Sequence, residues 1–389
     1  MCLCFDTSTD DIGQTHYSEV EQLANKDYWS QGIAISSHLK NIRFHTIRES
    51  TVGNIPVGIK RFAPEVDSAA ERRKGKSIVV VLGMHRSGTS VITRGLTVIG
   101  VELGDRLMPP AKGNERGFFE DIDLHVINRE LCNSLRRPLH WHTPGFARLS
   151  ELLDKKNAPF RRRAMEVLQH RLETSEYFGI KDPAFCRTLP FWQSIFEELQ
   201  LNISYVIAAR NPLSVVQSLG KRDNLPPGKC YRLWLDHVLL SILGTQGACR
   251  ILVDYDLLLT NPSKQISRIA FRLGLVERLD PMRLEDFSQN FLDKRLRHTN
   301  FEVEDIYRDQ NVPALVRTVS TLLSDLAADN LNLDSEYVTE VFADLSKQAH
   351  REAELLHKLF VVFRHWNPLK QGNIQDQPAY IEQDGVRLR

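Results

Sequence analysis

The sequence predicts an α/β fold of three layers, with a central, mainly parallel sheet flanked by helices. Three strand-turn-helix units predict it. Residues 78–82 (Ile-Val-Val-Val-Leu) are apolar without alternation, residues 203–209 (Ile-Ser-Tyr-Val-Ile-Ala-Ala) nearly so, and residues 249–253 form a third short apolar run. A strand buried on both faces reads as such a continuous run, the pattern of parallel sheets covered on both sides. Each run empties into a polar turn and then a segment with helical spacing, as a βα unit requires.

In the first unit, residues 90–100 place Val91, Gly95, Val98 and Ile99 on one helical face and end at Gly100, a residue suited to a C-cap. Between strand and helix, Gly83 and Gly88 lack side chains, so backbone N–H groups can close around an anion at the helix N-terminus. That geometry wants a phosphate. The Walker A pattern G-x-x-x-x-G-K-[ST] is the natural comparison. The glycines fit, but Thr89 stands where the lysine belongs, and Arg86 is the obligate cation of the loop. A Mg-dependent kinase or NTPase would therefore lack its phosphate-binding lysine.

In chain order, residues 1–75 carry no strong periodicity, although 17–29 read as a short helix and 41–57 alternate enough for a strand or two. The charged link Glu71-Arg-Arg-Lys-Gly-Lys76 marks a boundary before the core strand. After the loop, residues 101–119 are rich in Gly and Pro, and a helix is predicted over 121–135 from Leu124, Ile127 and Leu131. Its start carries Glu120, Asp121, Asp123 and His125. Carboxylates here suit general-base work, or simply favour the helix N-terminus through its dipole. The basic run of Arg161, Arg162, Arg163 and Arg171 reads as a solvated helical face.

Residues 177–183 read as a short strand emptying into Lys181-Asp182-Pro183. Ligands of open parallel sheets bind beyond the carboxyl ends of strands, which puts Lys181 near the anion site. The second unit turns at Arg210-Asn211-Pro212, where proline fits the first turn of a helix. Ser218 follows within two turns, so Arg210 and Ser218 can converge on one anion, and arginine's planar fork suits phosphate oxygens. A helix over 229–247 is expected next. The third strand ends in Asp254-Tyr255-Asp256-Leu257 before a helix opened by Asn261-Pro262, and Tyr255 either packs that strand end or faces a ligand. Helical patterns over 315–326 and 337–363 read as appended packing helices, and the tail from Trp366 is polar.

With 50 Lys+Arg against 49 Asp+Glu in 389 residues, the net charge of +1 argues neither for nucleic acid nor for a membrane surface. The six cysteines are scattered and read as ordinary reduced thiols. The N-terminal residues hold no apolar core and no stretch approaches a membrane span. The expectation is thus no signal peptide, no transmembrane segment and a cytoplasmic location. There is no internal repeat.

Three motifs, taken together, resemble the sulfotransferase superfamily that uses 3′-phosphoadenylyl sulfate (PAPS). Arg86-Ser87-Gly88-Thr89-Ser90 after a buried strand is similar to its 5′-phosphosulfate loop, Arg210-Asn211-Pro212 with Ser218 to its 3′-phosphate pattern, and Tyr255-Asp256-Leu257 with the following helix to a third stretch. Gly113 to Glu120 (G-N-E-R-G-F-F-E) and Lys181-Asp182-Pro183 resemble bacterial members. The resemblance spans roughly residues 77–300. It divides the chain into an N-terminal extension (1–75), a P-loop sulfotransferase domain (76–300) and a C-terminal helical extension (301–389).

The resemblance implies in-line transfer of a sulfuryl group from PAPS to an acceptor hydroxyl without a metal. Ser87, Gly88, Thr89 and Ser90 would cradle the 5′ end, and Arg86 would stabilise leaving-group charge. Arg210 and Ser218 would hold the 3′-phosphate, and Tyr255 would lie near the adenine. Arg297 and Arg295 would close over the donor, although the Arg-Lys-Gly signature of classical cytosolic members is missing there. Lys181 joins the site, and the base is Glu120, with Glu115 and His125 as rivals. Arginine at 86, where those cytosolic members carry lysine, tilts the acceptor toward a carbohydrate such as a surface polysaccharide or lipo-chitooligosaccharide. Two other readings stand beside this one: a Mg-dependent P-loop kinase of small molecules, and a non-catalytic nucleotide-binding protein.

Overall fold

The computed structural model describes residues 75–111, 114–293, 299 and 301–366, the last of these by backbone alone beyond residue 355. Residues 1–74 of the N-terminal extension, the basic stretch with Arg295 and Arg297, and the tail beyond Trp366 lie outside the described residues.

Four strands, β1 (Ser77–Leu82), β2 (Tyr177–Lys181), β3 (Asn202–Ala209) and β4 (Cys249–Asp254), form one sheet in the order β2-β1-β3-β4. All three pairings are parallel, and Val79 sits opposite both Gly179 and Ser204. The β1 residues 78–82 are at most 2% exposed, so the unbroken apolar run is a strand covered on both faces. Its alternation sorts the two outer layers. Ile78, Val80 and Leu82 share a core with Leu124, Leu168, Phe185 and Trp192, whereas Val79 and Val81 share another with Ile92, Leu96, Ile266 and Ile269.

The helices that build these layers are α1 (Thr89–Leu96), α2 (Ile122–Ser134), α3 (Ala158–Thr174), α4 (Phe185–Glu198), α5 (Pro212–Asp223), α6 (Pro227–Leu243), α7 (Tyr255–Thr260) and α8 (Pro262–Leu273). Two more, α9 (Ala314–Ala327) and α10 (Glu336–Trp366), follow. Val316, Val319 and Leu323 of α9 and Phe342 of α10 join Ile207, Leu252 and Trp234 in one cluster, so the C-terminal helices complete the layer over β3 and β4. The free edge of β2 is shielded by residue 102, whose N–H reaches the Tyr177 carbonyl and whose own carbonyl accepts from the Gly179 N–H.

Three expectations change. The buried stripe of α1 is Ile92, Thr93, Gly95 and Leu96, with Val91 only half-buried, because a 3₁₀ turn (Thr97–Ile99) tightens the path by which Val98 and Ile99 reach the core. The helix expected over 229–247 begins at Pro227, whose missing N–H costs nothing in a first turn, and ends at Leu243. Arg171 is not part of a solvated face. It is buried and donates from Nε to Asp121 at 2.7 Å and from Nη2 to Asp123 at 2.6 Å.

Candidate active site

β1 sits where the chain leaves for β2 on one side and β3 on the other, and its carboxyl end opens at that switch point. The loop there carries positive φ at Gly83 (154°), Arg86 (70°) and Gly88 (82°). Gly88 has to be glycine for two reasons: its left-handed backbone, and a Cβ there would lie 2.1 Å from Tyr255 Cδ2. Among the described residues no side chain caps α1, and no acidic residue stands in its first turn. The first-turn N–H groups and the positive end of the helix dipole are thus left for an external anion.

Arg86, Ser218, Arg210 and Tyr255 interlock around this loop. Arg86 Nε donates to Ser218 Oγ at 2.7 Å, and Arg210 Nη1 donates to the Arg86 carbonyl at 2.9 Å. The Arg210 guanidinium lies 4.5 Å from the centre of the Tyr255 ring, and its Nη2 donates to Thr299 Oγ1 at 3.3 Å. Two anchors fix Arg210. Asn211 caps α5 by accepting from the Leu213 N–H, and Trp234 Nε1 donates to the Arg210 carbonyl. Burial, together with Arg222 and Arg210, lowers the pKa of the Arg86 guanidinium below its ordinary value. A crowd of cations with that effect is one an anion would relieve.

A second cluster lies against the loop. Lys181 Nζ donates to Glu120 Oε1 at 2.5 Å and to Ser90 Oγ at 3.4 Å, with Lys181 and Glu120 both buried. His125 Nδ1 is 3.1 Å from Asp182 Oδ2 and 3.6 Å from Glu120 Oε2. Glu120 is held on both flanks. Its carbonyl accepts from the Met108 N–H, and the next residue, Asp121, caps α2 through the Asp123 and Leu124 N–H groups while gripping Arg171. Asp182 is pinned by the Ala184 N–H at 2.8 Å and by Asn128 Nδ2 at 3.2 Å. Asn128 is itself fixed, accepting from Thr188 and Trp192.

The electrostatics follow from burial and pairing. Burial raises the Glu120 carboxyl, with Lys181 pulling the other way. For Asp182, burial also pushes upward, but the charge and hydrogen bond of His125 and the Ala184 N–H bring it below the ordinary carboxylate value. Burial works against a charged His125, yet Asp182 and Glu120 outweigh it and raise the imidazole to about 9. Glu120, His125 and Asp182 offer ligand atoms within 4.8 Å of one another, the spacing of a cation site. Two cations already serve these carboxylates: the Lys181 ammonium and an imidazolium that would have to lose its proton to ligate a metal.

The structure thus gathers Arg86, Ser87, Gly88, Thr89 and Ser90 with Arg210, Ser218 and Tyr255 on one side, and Ser90 with Glu120, Lys181 and His125 on the other. Glu115 stands on an exposed turn. Arg297 lies outside the described residues. Sequence reasoning passed over Asp182 and Asn128. Asp182 stood inside the quoted Lys-Asp-Pro triplet, whereas Asn128 left no signal except its place one turn after His125.

No family model matches the chain, and no curated protein matches it. Among the solved structures similar to it are two sulfotransferase domains. One is a sulfotransferase domain from the Synechococcus PCC 7002 olefin synthase (18% identity, TM-score 0.35, covering 68% of this chain and 99% of that one). The other is a sulfotransferase domain from the curacin biosynthetic pathway (14% identity, TM-score 0.32, covering 71% and 99%).

Proposed function

We propose that this chain is a PAPS-dependent sulfotransferase of bacterial type, acting in the cytoplasm on a carbohydrate hydroxyl. The observation that carries this reading is the pairing of an uncapped, lysine-free phosphate loop, locked through Arg86, Ser218 and Arg210, with a buried carboxylate–lysine pair against the same loop. The loop residues Ser87, Gly88, Thr89 and Ser90 would cradle the 5′-phosphosulfate, Arg210 and Ser218 would hold the 3′-phosphate, and Tyr255 would take the adenine side. A sulfuryl group carries less charge than a phosphoryl group, so one guanidinium and a ring of donors suffice without a metal.

In this mechanism the acceptor oxygen forms a bond to sulfur as the bond from sulfur to the bridging phosphate oxygen breaks. The electron pair leaves on adenosine 3′,5′-bisphosphate, stabilised by Arg86 through charge and hydrogen bonding. The acceptor proton goes to the Glu120 carboxylate, whose basicity burial increases while the Lys181 ammonium pulls the other way. His125, anchored by Asp182, stands 3.6 Å from the far oxygen of that carboxylate.

The deciding experiment is a thermal-shift titration of wild type and Arg210→Ala with adenosine 3′,5′-bisphosphate, ADP, and ATP with Mg²⁺. Stabilisation that depends on the 3′-phosphate and disappears in the variant is the expected result. Preference for ATP with Mg²⁺ would overturn the reading in favour of a kinase.

A further inference from the structure

Beside the phosphate loop stands an aromatic cluster that the reaction above does not use. Residues 135–147 form a surface loop carrying His140, Trp141 and His142. The Trp141 ring meets His85, the neighbour of Arg86, edge-on with centroids 5.1 Å apart, and meets His142 in the same manner at 5.5 Å. Arg222 Cζ lies 5.1 Å from the centre of the Trp141 ring. Arg222 follows Ser218 by one helical turn on α5, so the two project from the same face with Cβ atoms about 5–6 Å apart. Ser218 grips Arg86 and Arg222 covers Trp141, so neighbouring turns of α5 hold the loop arginine and the indole. His85 faces the other cluster too. Burial first, then Arg222 and His237, hold its imidazole well below the usual value, against the pull of Asp182, so it is a neutral hydrogen-bonding group.

The loop is held by groups that are expensive to bury. Arg187, 4% exposed, donates from Nη1 to the His140 carbonyl at 3.0 Å and from Nη2 to the Thr143 carbonyl at 2.8 Å. Its Nε has no hydrogen-bond partner among the described residues. Asp236, 3% exposed, accepts from the Gly145 N–H at 2.7 Å. A guanidinium and a carboxylate taken out of water cost several kcal/mol in general; Asp236 is paired with Arg232 at 2.8 Å, and its second oxygen and the Arg187 guanidinium hold the main chain of a surface loop. What they hold up is Trp141, which stays 36% exposed although burial would favour an indole.

We propose that Trp141 is the floor of the acceptor subsite and that the acceptor lays a sugar ring on it, its hydroxyls taken by His85, His142 and Arg222. The proposal rests on the sulfotransferase reading for the position of the donor. An apolar or phenolic acceptor is ordinarily enclosed by an apolar pocket. A partly exposed indole with a guanidinium over its ring and two imidazoles against it instead matches a ring with a C–H face and a hydroxyl edge.

The test is calorimetric titration of wild type, Trp141→Ala and Trp141→Phe with an array of neutral, N-acetylated and uronic oligosaccharides and with 4-nitrophenol, each with and without adenosine 3′,5′-bisphosphate. At least one oligosaccharide class binds wild type and Trp141→Phe and binds Trp141→Ala about tenfold more weakly or worse, while the nucleotide binds all three proteins alike. Sugar binding indifferent to Trp141→Ala, or no sugar binding at all, overturns the proposal, as does preference for 4-nitrophenol. Failure of the nucleotide to bind wild type would instead sink the donor assignment, and the titrations without nucleotide would still decide the role of Trp141.

Discussion

Replacing Lys181 by methionine removes one partner of a buried ion pair while keeping most of the volume of its stem. Nζ and Oε1 are 2.5 Å apart, and the two side chains are 2% and 7% exposed. At an effective dielectric of about 20, charges at that separation attract by about 6–7 kcal/mol in gross terms. Much of this offsets the cost of taking both charges out of water. What remains after Lys181→Met is Glu120, buried and facing the carboxylate of Asp182 with only His125 to balance both. Loss of one member of such a pair costs about 3–5 kcal/mol. Urea unfolding at neutral pH measures it. Glu120→Gln alone should cost a comparable amount, and the double variant should recover much of the loss, with a coupling of about 2–3 kcal/mol. The acid limb of kcat/KM in Lys181→Met should also move to higher pH, because the group that lowers the Glu120 pKa is gone. A Lys181→Met protein within about 0.5 kcal/mol of wild type, or a double variant as unstable as the singles combined, refutes the buried pair and the ionised base that depends on it.

Other consequences can be checked alongside. Gly88→Ala forces a left-handed residue and drives its Cβ to 2.1 Å from the Tyr255 ring; affinity for adenosine 3′,5′-bisphosphate should fall about tenfold or more, since left-handed backbone alone costs about 1–2 kcal/mol. His125, raised to about 9, binds its proton more tightly folded than unfolded. Its contribution, about 3 kcal/mol, is therefore complete below about pH 6.5 and lost as pH rises through 9. In His125→Gln, stability measured by denaturation between those values should lose this slope. Because Lys181 and a protonated His125 already serve the carboxylates, turnover should be unchanged by EDTA, and restoration by added Mg²⁺ or Mn²⁺ after chelation would contradict that arrangement.

The sheet was legible because burial on both faces leaves no polar position between Ile78 and Leu82 of β1. Pro212 and Asn211 marked the start of α5 for equally local reasons. Lys181 could be placed at a strand end from pattern alone, but not its burial, since the partner that makes a buried ammonium tolerable is Glu120, far away in sequence. Arg171 failed in the same way: its run of basic neighbours reads as a wet face until the fold brings Asp121 and Asp123 to it. His85 and Trp141 share no spacing at all. The clamps from Arg187 and Asp236 and the cover of Arg222 bring them together, and an arginine or aspartate on an apolar helix carries no mark of the distant loop it will hold.

The pairing of β1 has a consequence for the order of events as the chain folds. Ser77 meets Tyr177 on one side and Asn202 on the other, so the strand that launches the loop has no strand partner until β2 exists and is not flanked on both sides until β3 does. Contacts this distant in sequence are slow to form, since the intervening chain must be closed first. During synthesis, the ribosome must release residues through β3 before β1 is fixed, and Tyr255, which backs Gly88, emerges later still. Any ligand of that loop therefore meets a complete site only once Tyr255 has joined the fold, and ligand rescue of a slow-folding variant is confined to stages after that.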